Sequence, residues 1–472
     1  MGSCADRRAG RMHRSCGMIN AWQENARMLA SALGIDEDAA SARLEGHILI
    51  TVSECASCAD WAREICDLLD RTMSVTWDPA DDVKVELVVG DALPRSVAKR
   101  LYARIDASKA VIGLEPPKVA STEPHPLFAA IAACSAAAAT LSLAIDAEGL
   151  PKVSLPITVL FDQLGISREA LAASIDLDGT ALIGAGAVGN AFLRALRHVD
   201  ARGTLPIVDP KTVGGGNPNR CLYFTEADVE HPKAETLARN ASPDFPHVAL
   251  TAFNGEFHDY VAKNGPQRTA IVTVDSRRVR RAIQAEVPGR VFDASTTDIR
   301  AVVVHSHRQP TANACLSCIY RHVPDEHARE RAIAEGLGIS LDMVRESLIS
   351  ADAAALIARA NAGIQAAAIE GMAYDSLFKQ LCAEQALKST EGKQVLAPFA
   401  FVSALAGGLL VIEMLRVQAG FADTNYWQIN PWSSPIGRLR SCRPRATDCE
   451  FCSVPHFVAI ANQLWMEEPK AA

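Results

Sequence analysis

From residue 177 onward, short apolar runs recur: "GTALIGAG", "LPIVDP", "HVALTAFN", "AIVTVDS", "GRVFDAS" and "AVVVHSH". Helical stretches separate most of them. Strands covered on both faces lose polar alternation, so this pattern predicts an α/β fold with a doubly wound, mostly parallel Rossmann-like sheet. Upstream, residues 18–70 read as helices around a strand-like "GHILITV", followed by strands "VKVELVVG" and "KAVIGL" and a Pro-rich linker. These predict a separate N-terminal α/β domain over 1–175. Residues 323–376 are Ala/Glu-rich and predict a helical insertion. The main fold then takes up 377–460, with an apolar helix at 396–417 and a β-rich segment, before a tail at 461–472.

Three segments, "SALGIDEDAA", "DQLGISREAL" and "EGLGISLDMV", place glycine and then Asp or Ser between helical stretches. They predict a helix C-cap followed by an N-cap. No basic face accompanies them, which argues against a DNA-binding helix pair. "LFAAIAACSAAAATLSLAI" (127–145) has the length of a membrane span, but alanine and serine dominate it, and a buried helix is expected.

Composition narrows the function. The chain has 472 residues, 49% of them hydrophobic, and a formal charge of -8. That length allows two or three domains, and the charge provides no general attraction to nucleic acid or anionic membrane. The first residues carry arginines but no apolar stretch behind them, so no secretory signal is read and a cytoplasmic location is expected. Thirteen cysteines are an odd number, which argues against a closed disulfide framework. Six of them form three C-x-x-C pairs: Cys55/Cys58, Cys315/Cys318 and Cys449/Cys452.

Gly184, Gly186 and Gly189 spell G-x-G-x-x-G between a strand and a helix, and Asp209 ends the next strand. Glycines let the backbone approach a phosphate at the helix N-terminus, and a strand-end carboxylate can accept from ribose hydroxyls. Up to this point NAD and ATP are equally allowed. Asn217, Arg220 and Lys233 follow directly. A dehydrogenase has no use for cations and an amide here, whereas cleavage at an α-phosphate spreads charge onto the departing pyrophosphate. Asp275 ends another strand, where a carboxylate can hold Mg²⁺.

With these motifs the sequence resembles the ubiquitin-activating/ThiF/MoeB superfamily of adenylating enzymes over residues 177–322 and 377–455. Within it, the chain looks most similar to bacterial ubiquitin-activating-like and autophagy-type activating enzymes. The resemblance implies an adenylation fold that uses ATP. It assigns Gly184, Gly186 and Gly189 to the phosphates, Asp209 to the ribose, Asn217, Arg220 and Lys233 to the triphosphate, and Asp275 to magnesium. The chain departs from the pattern at Lys211, where a second acid is common, and at Cys221, where Gln is common. The resemblance also implies that Cys315, Cys318, Cys449 and Cys452 meet in one structural zinc site. Cys442 is the alternative ligand by position, and Cys55/Cys58 is read as coincidence.

Cys382 lies before an Ala-Pro-containing apolar helix, in the region that carries the catalytic cysteine in the thioester-forming relatives. The implied activity is adenylation of a ubiquitin-like protein's C-terminal carboxylate. Transfer to Cys382 and handover to a conjugating-type enzyme would follow, and a homodimer is implied. The alternative is adenylation of a sulfur-carrier protein, a peptide or a tRNA base with no enzyme thioester. The N-terminal region is either a reduced partner fold without a nucleotide or a docking platform. An oxidoreductase would instead bind NAD(P), and a scaffold would exchange no pyrophosphate.

Overall fold

The computed structural model describes residues 20–119, 122–297, 299–321, 324–345, 349–361, 363–370, 372, 374, 377–378, 399–421, 423–433 and 440–466. The N-terminal half builds a six-stranded sheet from β1 (His47–Val52), β2 (Ser74–Thr76), β3 (Val83–Val89), β4 (Lys99–Ile105), β5 (Lys109–Gly113) and β6 (Ile157–Leu160), in the order β2-β1-β3-β4-β5-β6. The first four are parallel, and β5 and β6 run antiparallel. Strands β2, β4 and β6 are too short or too polar to stand out in the sequence.

The second sheet contains β7 (Ile175–Asp176), β8 (Thr180–Ile183), β9 (Ala201–Val208), β10 (Val248–Phe253), β11 (Thr269–Val272), β12 (Arg290–Thr297), β13 (Ala301–Arg308), β14 (Tyr426–Ile429) and β15 (Arg440–Ser441). Its order is β10-β9-β8-β11-β12-β13-β14-β15, with β7 paired to β9. Strands β8 to β12 are parallel, as the apolar runs predict, whereas β13, β14 and β15 join antiparallel. Neighbouring residues of the central strands serve opposite faces. Leu182, Ile207, Ile271 and Phe292 enter one apolar core, and Ala181, Ile183, Ala270, Val272 and Val291 enter another. Both faces are therefore dry, which explains the absence of polar alternation.

The two sheets repeat one topology. The succession β2-β1-β3-β4-β5-β6 matches β9-β8-β11-β12-β13-β14, strand for strand in direction. Helix Ala56–Leu69 follows β1 as helix Ala187–Leu196 follows β8, and the long helix Pro126–Ile145 precedes β6 as Ala400–Gln418 precedes β14.

A single apolar cluster runs through both halves, from Ile48, Val85 and Leu101 to Leu182, Ile207 and Leu410. The two long helices lie within it. Both are long and apolar enough to cross a membrane, but 83% and 89% of their apolar windows are buried inside the protein. Gly407 permits the close packing: a Cβ there would lie 2.3 Å from the Ala191 carbonyl carbon. Charged side chains add a seam, with Arg194 and Arg197 of the second half bonded to Glu64 and Asp67 of the first.

The predicted insertion is helical where described, with Pro324–Leu337, Leu341–Arg345, Ala351–Ala360 and Ala366–Ile369, and it has its own small core around Ile333, Leu337 and Ile357. The buried Arg278–Glu330 pair, 2.7 Å apart, ties it to the main fold. The cap patterns form as read: Asp36, Ser167 and Ser340 accept from backbone amides three residues on, after glycines in the left-handed region. The β-rich C-terminal segment is a correction. Among the described residues, only β14 and β15 are strands there, the last cysteine pair sits in turns, and helix Pro455–Trp465 follows.

Candidate active site and cysteine cluster

β8 ends at Ile183, and the chain turns through Gly184 (φ 101°) into helix Ala187–Leu196, whose N-cap is Gly186. The turn is packed hard against the end of β11. A Cβ on Gly189 would lie 2.1 Å from the Gly184 carbonyl oxygen, and one on Gly184 would meet Thr273 at 3.1 Å. A Cβ on Gly186, in contrast, would meet nothing within 4 Å, so that side of the turn is open to a ligand. Three side chains lock the backbone. Thr273 Oγ1 donates to Gly184 O (2.7 Å), Asn190 Nδ2 donates to Ala185 O and Gly186 O (3.0 Å each), and Asp209 accepts from the Ala185 amide at 2.7 Å.

Asp209, buried at the end of β9, also accepts from the Lys211 amide at 2.9 Å. Beyond it, an antiparallel bridge between Thr212 and Pro232, with the Lys233 amide donating to Lys211 O at 2.8 Å, brings Lys233 back beside Lys211. Burial draws the Lys233 ammonium below its usual pKa, with Asp209 opposing and Lys211 adding to the shift. Lys211 Nζ lies 3.8 Å from the exposed carboxylate of Asp275. Asp209, Lys233, Lys211 and Asp275 thus converge at the C-terminal ends of β9 and β11, where ligands bind in open α/β sheets. Lys211 entered the sequence reading only as a departure; here it supplies a further cation.

Asn217 opens a short turn, Asn217–Asn219, and accepts from the Gly214 amide at 3.0 Å. Arg220 is aimed by Asn219, whose Oδ1 accepts at 2.7 Å, and lies 3.6 Å from Glu24. Cys221 is buried, which raises its thiol pKa, while the charges of Arg220, Lys233 and Arg71 oppose the shift.

The N-terminal half holds this loop in place. The Arg71 guanidinium donates to Pro218 O (2.5 Å), Leu222 O (2.8 Å) and Phe224 O (2.9 Å). Asn25, on helix Ala21–Leu33, accepts from Asn219 Nδ2 at 2.9 Å and donates to Arg71 O at 2.7 Å. Sequence reasoning missed Glu24, Asn25, Arg71 and Asn219, because no local motif links residues so far apart. Cys382 lies outside the described residues.

The four cysteines of the later C-x-x-C pairs gather, all sulfurs lying within 4.8 Å of one another. Cys315 Sγ is 3.5 Å from Cys449 and 3.7 Å from Cys318, and Cys318 is 3.4 Å from Cys452. A zinc–thiolate tetrahedron with bonds of about 2.3 Å has edges of about 3.8 Å, so the four sulfurs fit zinc closely. The Ala446 amide donates to Cys318 Sγ at 3.3 Å, as suits a thiolate ligand. Four thiolates around one ion leave no open position, the donor set of structural zinc sites. Cys442 stands apart, with its thiol on Asn313.

A doubly wound sheet, a locked glycine turn and strand-end charges define a nucleotide-using α/β enzyme. Residues 166–451 match the ThiF family, and residues 18–167 match the E1 N-terminal domain. The chain belongs to the ThiF family of ATP-using adenylating enzymes. It is 29% identical over 270 residues to the uncharacterized protein y4jF of Sinorhizobium fredii, covering 52% of this chain and 50% of that protein. It is 27% identical over 147 residues to the NEDD8-activating enzyme E1 catalytic subunit of Schizosaccharomyces pombe, covering 29% of this chain and 32% of that protein. The chain thus spans half or less of these curated relatives. Among solved structures it is similar to Escherichia coli MccB with ATP, at 14% identity and a TM-score of 0.36, covering 60% of this chain and 67% of that one. A second likeness is to the microcin C7 biosynthetic enzyme MccB in complex with N-formylated MccA, at 13% identity and 0.38, covering 75% and 97%.

Proposed function

We propose that this chain activates a ubiquitin-like protein. The observation that supports this most is the pairing, in one chain, of a ThiF fold with an E1 N-terminal domain whose strand order repeats it. The glycine turn receives the triphosphate of ATP, with Asp209 toward the ribose. A carboxylate oxygen of the substrate's C-terminus attacks the α-phosphorus, forming an acyl-adenylate and releasing pyrophosphate. Arg220 and Lys233 sit where charge accumulates on the leaving group, with Asn217 at the head of their loop and Lys211 as a third cation. Asp275 is the residue that would hold magnesium, which when bound offsets phosphate charge.

The Cys382 thiolate then attacks the acyl carbon, AMP leaves, and the thioester passes to a conjugating-type cysteine enzyme. The two folds within one chain supply internally the pairing that the resemblance implies between two copies. We assign the activity to the cytoplasm.

The test uses the full chain with ATP, magnesium and a ubiquitin-like protein encoded beside its gene. Wild type is expected to exchange pyrophosphate into ATP and to form an adduct that thiol reductants cleave. Cys382→Ala keeps the exchange and loses the adduct. If the wild type exchanges pyrophosphate without any reducible adduct, the reading moves to adenylation of a peptide, sulfur-carrier protein or tRNA base without a thioester. Binding of NAD(P) but not ATP would reject both.

A further inference from the structure

The remaining C-x-x-C pair occupies a notable place in the fold. After β1 the chain runs Ser53-Glu54-Cys55 into helix Ala56–Leu69, with Cys55 as the N-cap. In the repeated topology this is where Gly184-Ala185-Gly186 turns into helix Ala187–Leu196, so Cys55 stands where Gly186 stands. The N-terminal half has thus put a thiol pair where the other half has its phosphate turn. Among the described residues, no third His, Cys, Asp or Glu joins Cys55 and Cys58 to make a metal site.

The two sulfurs are unequal. Cys55 is exposed, and its Sγ lies 3.0 Å from the Ser57 hydroxyl. Cys58, one turn further along, is partly buried against the apolar core. It packs on Gly90, where a Cβ would come within 3.0 Å of the Cys58 sulfur and 2.2 Å of Ser53 Oγ. The Ser57 hydroxyl and then the Cys58 amide hold the Cys55 thiol below its usual pKa, while burial pushes Cys58 up. An accessible thiol at a helix start, with a shielded partner three residues on, is the arrangement that thiol–disulfide exchange requires.

We propose that Cys55 and Cys58 form a dithiol–disulfide exchange site whose oxidant is a low-molecular-weight disulfide. The Cys55 thiolate attacks one sulfur of the disulfide; a Cys55 mixed disulfide forms and one thiolate leaves. Cys58 gives up its proton and attacks the Cys55 sulfur, which closes the intramolecular disulfide and expels the second thiolate. Two cysteine thiols are oxidised and one disulfide is reduced to two thiols. The site is separate from the nucleotide residues and does not depend on the adenylation reading.

The experiment incubates the full-length zinc-loaded chain in glutathione buffers of rising disulfide fraction, quenches with acid, alkylates free thiols and sequences the peptides by mass spectrometry. Wild type is expected to yield a Cys55–Cys58 disulfide. Cys58→Ser accumulates a glutathione adduct on Cys55, whereas Cys55→Ser forms neither product. Exposed Cys442 is the internal comparator, and Cys55 in the Cys58→Ser chain should react about tenfold faster than it at neutral pH. The proposal is overturned if both cysteines of the wild type stay alkylatable in excess glutathione disulfide, or if Cys55 gains its adduct no faster than Cys442. Circular dichroism of each variant confirms that the fold is kept.

Discussion

Replacing Arg71 with alanine removes a guanidinium that binds three carbonyls of the loop carrying Asn219 and Arg220. A hydrogen bond from a charged donor contributes about 1.5–3 kcal/mol when its acceptor is left without a substitute. These carbonyls are only partly buried, so water recovers part of the loss, and a total of about 3–4 kcal/mol for the fork is reasonable. The loop is anchored on its far side by Asn217 to Gly214 and by Tyr223 to Asn190. We therefore expect the fold to survive and the cost to fall on ordering the loop when nucleotide binds. At 1.4 kcal/mol per decade, ATP affinity should drop about 140- to 700-fold. Lysine keeps the charge but loses the fork, so Arg71→Lys should fall between. Calorimetric ATP binding, with KM and kcat for pyrophosphate exchange, reads this directly. An Arg71→Ala chain that binds ATP within about threefold of wild type, with its melting temperature alone reduced, would refute the reasoning, because Arg71 would then hold the fold and not the loop.

Gly189→Ala would place a methyl 2.1 Å from Gly184 O; ATP binding by calorimetry should be lost while circular dichroism is unchanged. Cys449→Ser should lower the zinc content from one equivalent per chain to near none by mass spectrometry and lower the unfolding midpoint. A wild-type chain without zinc would refute the cluster's role. Glu86 is fully buried and accepts from Thr51, the amides of Arg95 and Ser96, and the Ser96 hydroxyl. Burial pushes its pKa up, but the hydrogen bonds outweigh this, and the net shift is downward. A depressed folded-state pKa means that the stability is present above the ordinary carboxyl range and is lost as pH falls through the folded value. Glu86→Gln should cost about 2 kcal/mol at neutral pH and flatten the acid limb of the urea-midpoint profile; identical limbs would refute this.

The parts of the site legible in the sequence are those whose chemistry is local. The glycine turn, the strand-end Asp209 and Asp275, and the C-x-x-C spacings all follow from what a few adjacent residues can do. The apolar runs marked β8 to β13, most plainly the central strands β8, β11 and β12, where burial on both faces leaves its imprint. The antiparallel direction of β13 to β15 left no such imprint, since a dry strand reads the same in either direction. The repeated topology was equally hidden: β2, β4 and β6 are short or mixed in polarity, and Ser53-Glu54-Cys55 carries no glycine to mark the equivalent turn.

By itself, the sequence determined that the chain is α/β, that a phosphate-type turn starts at Gly184, and that cations and carboxylates follow it in a fixed order. Helix and strand periodicity and turn chemistry act over a few residues and are written where they act. Tertiary structure alone decided that Arg71, Asn25 and Glu24 hold the Arg220 loop and that Lys211 meets Asp275. Contacts between residues so distant in sequence come from how strands, loops and helices pack together, which no local pattern encodes.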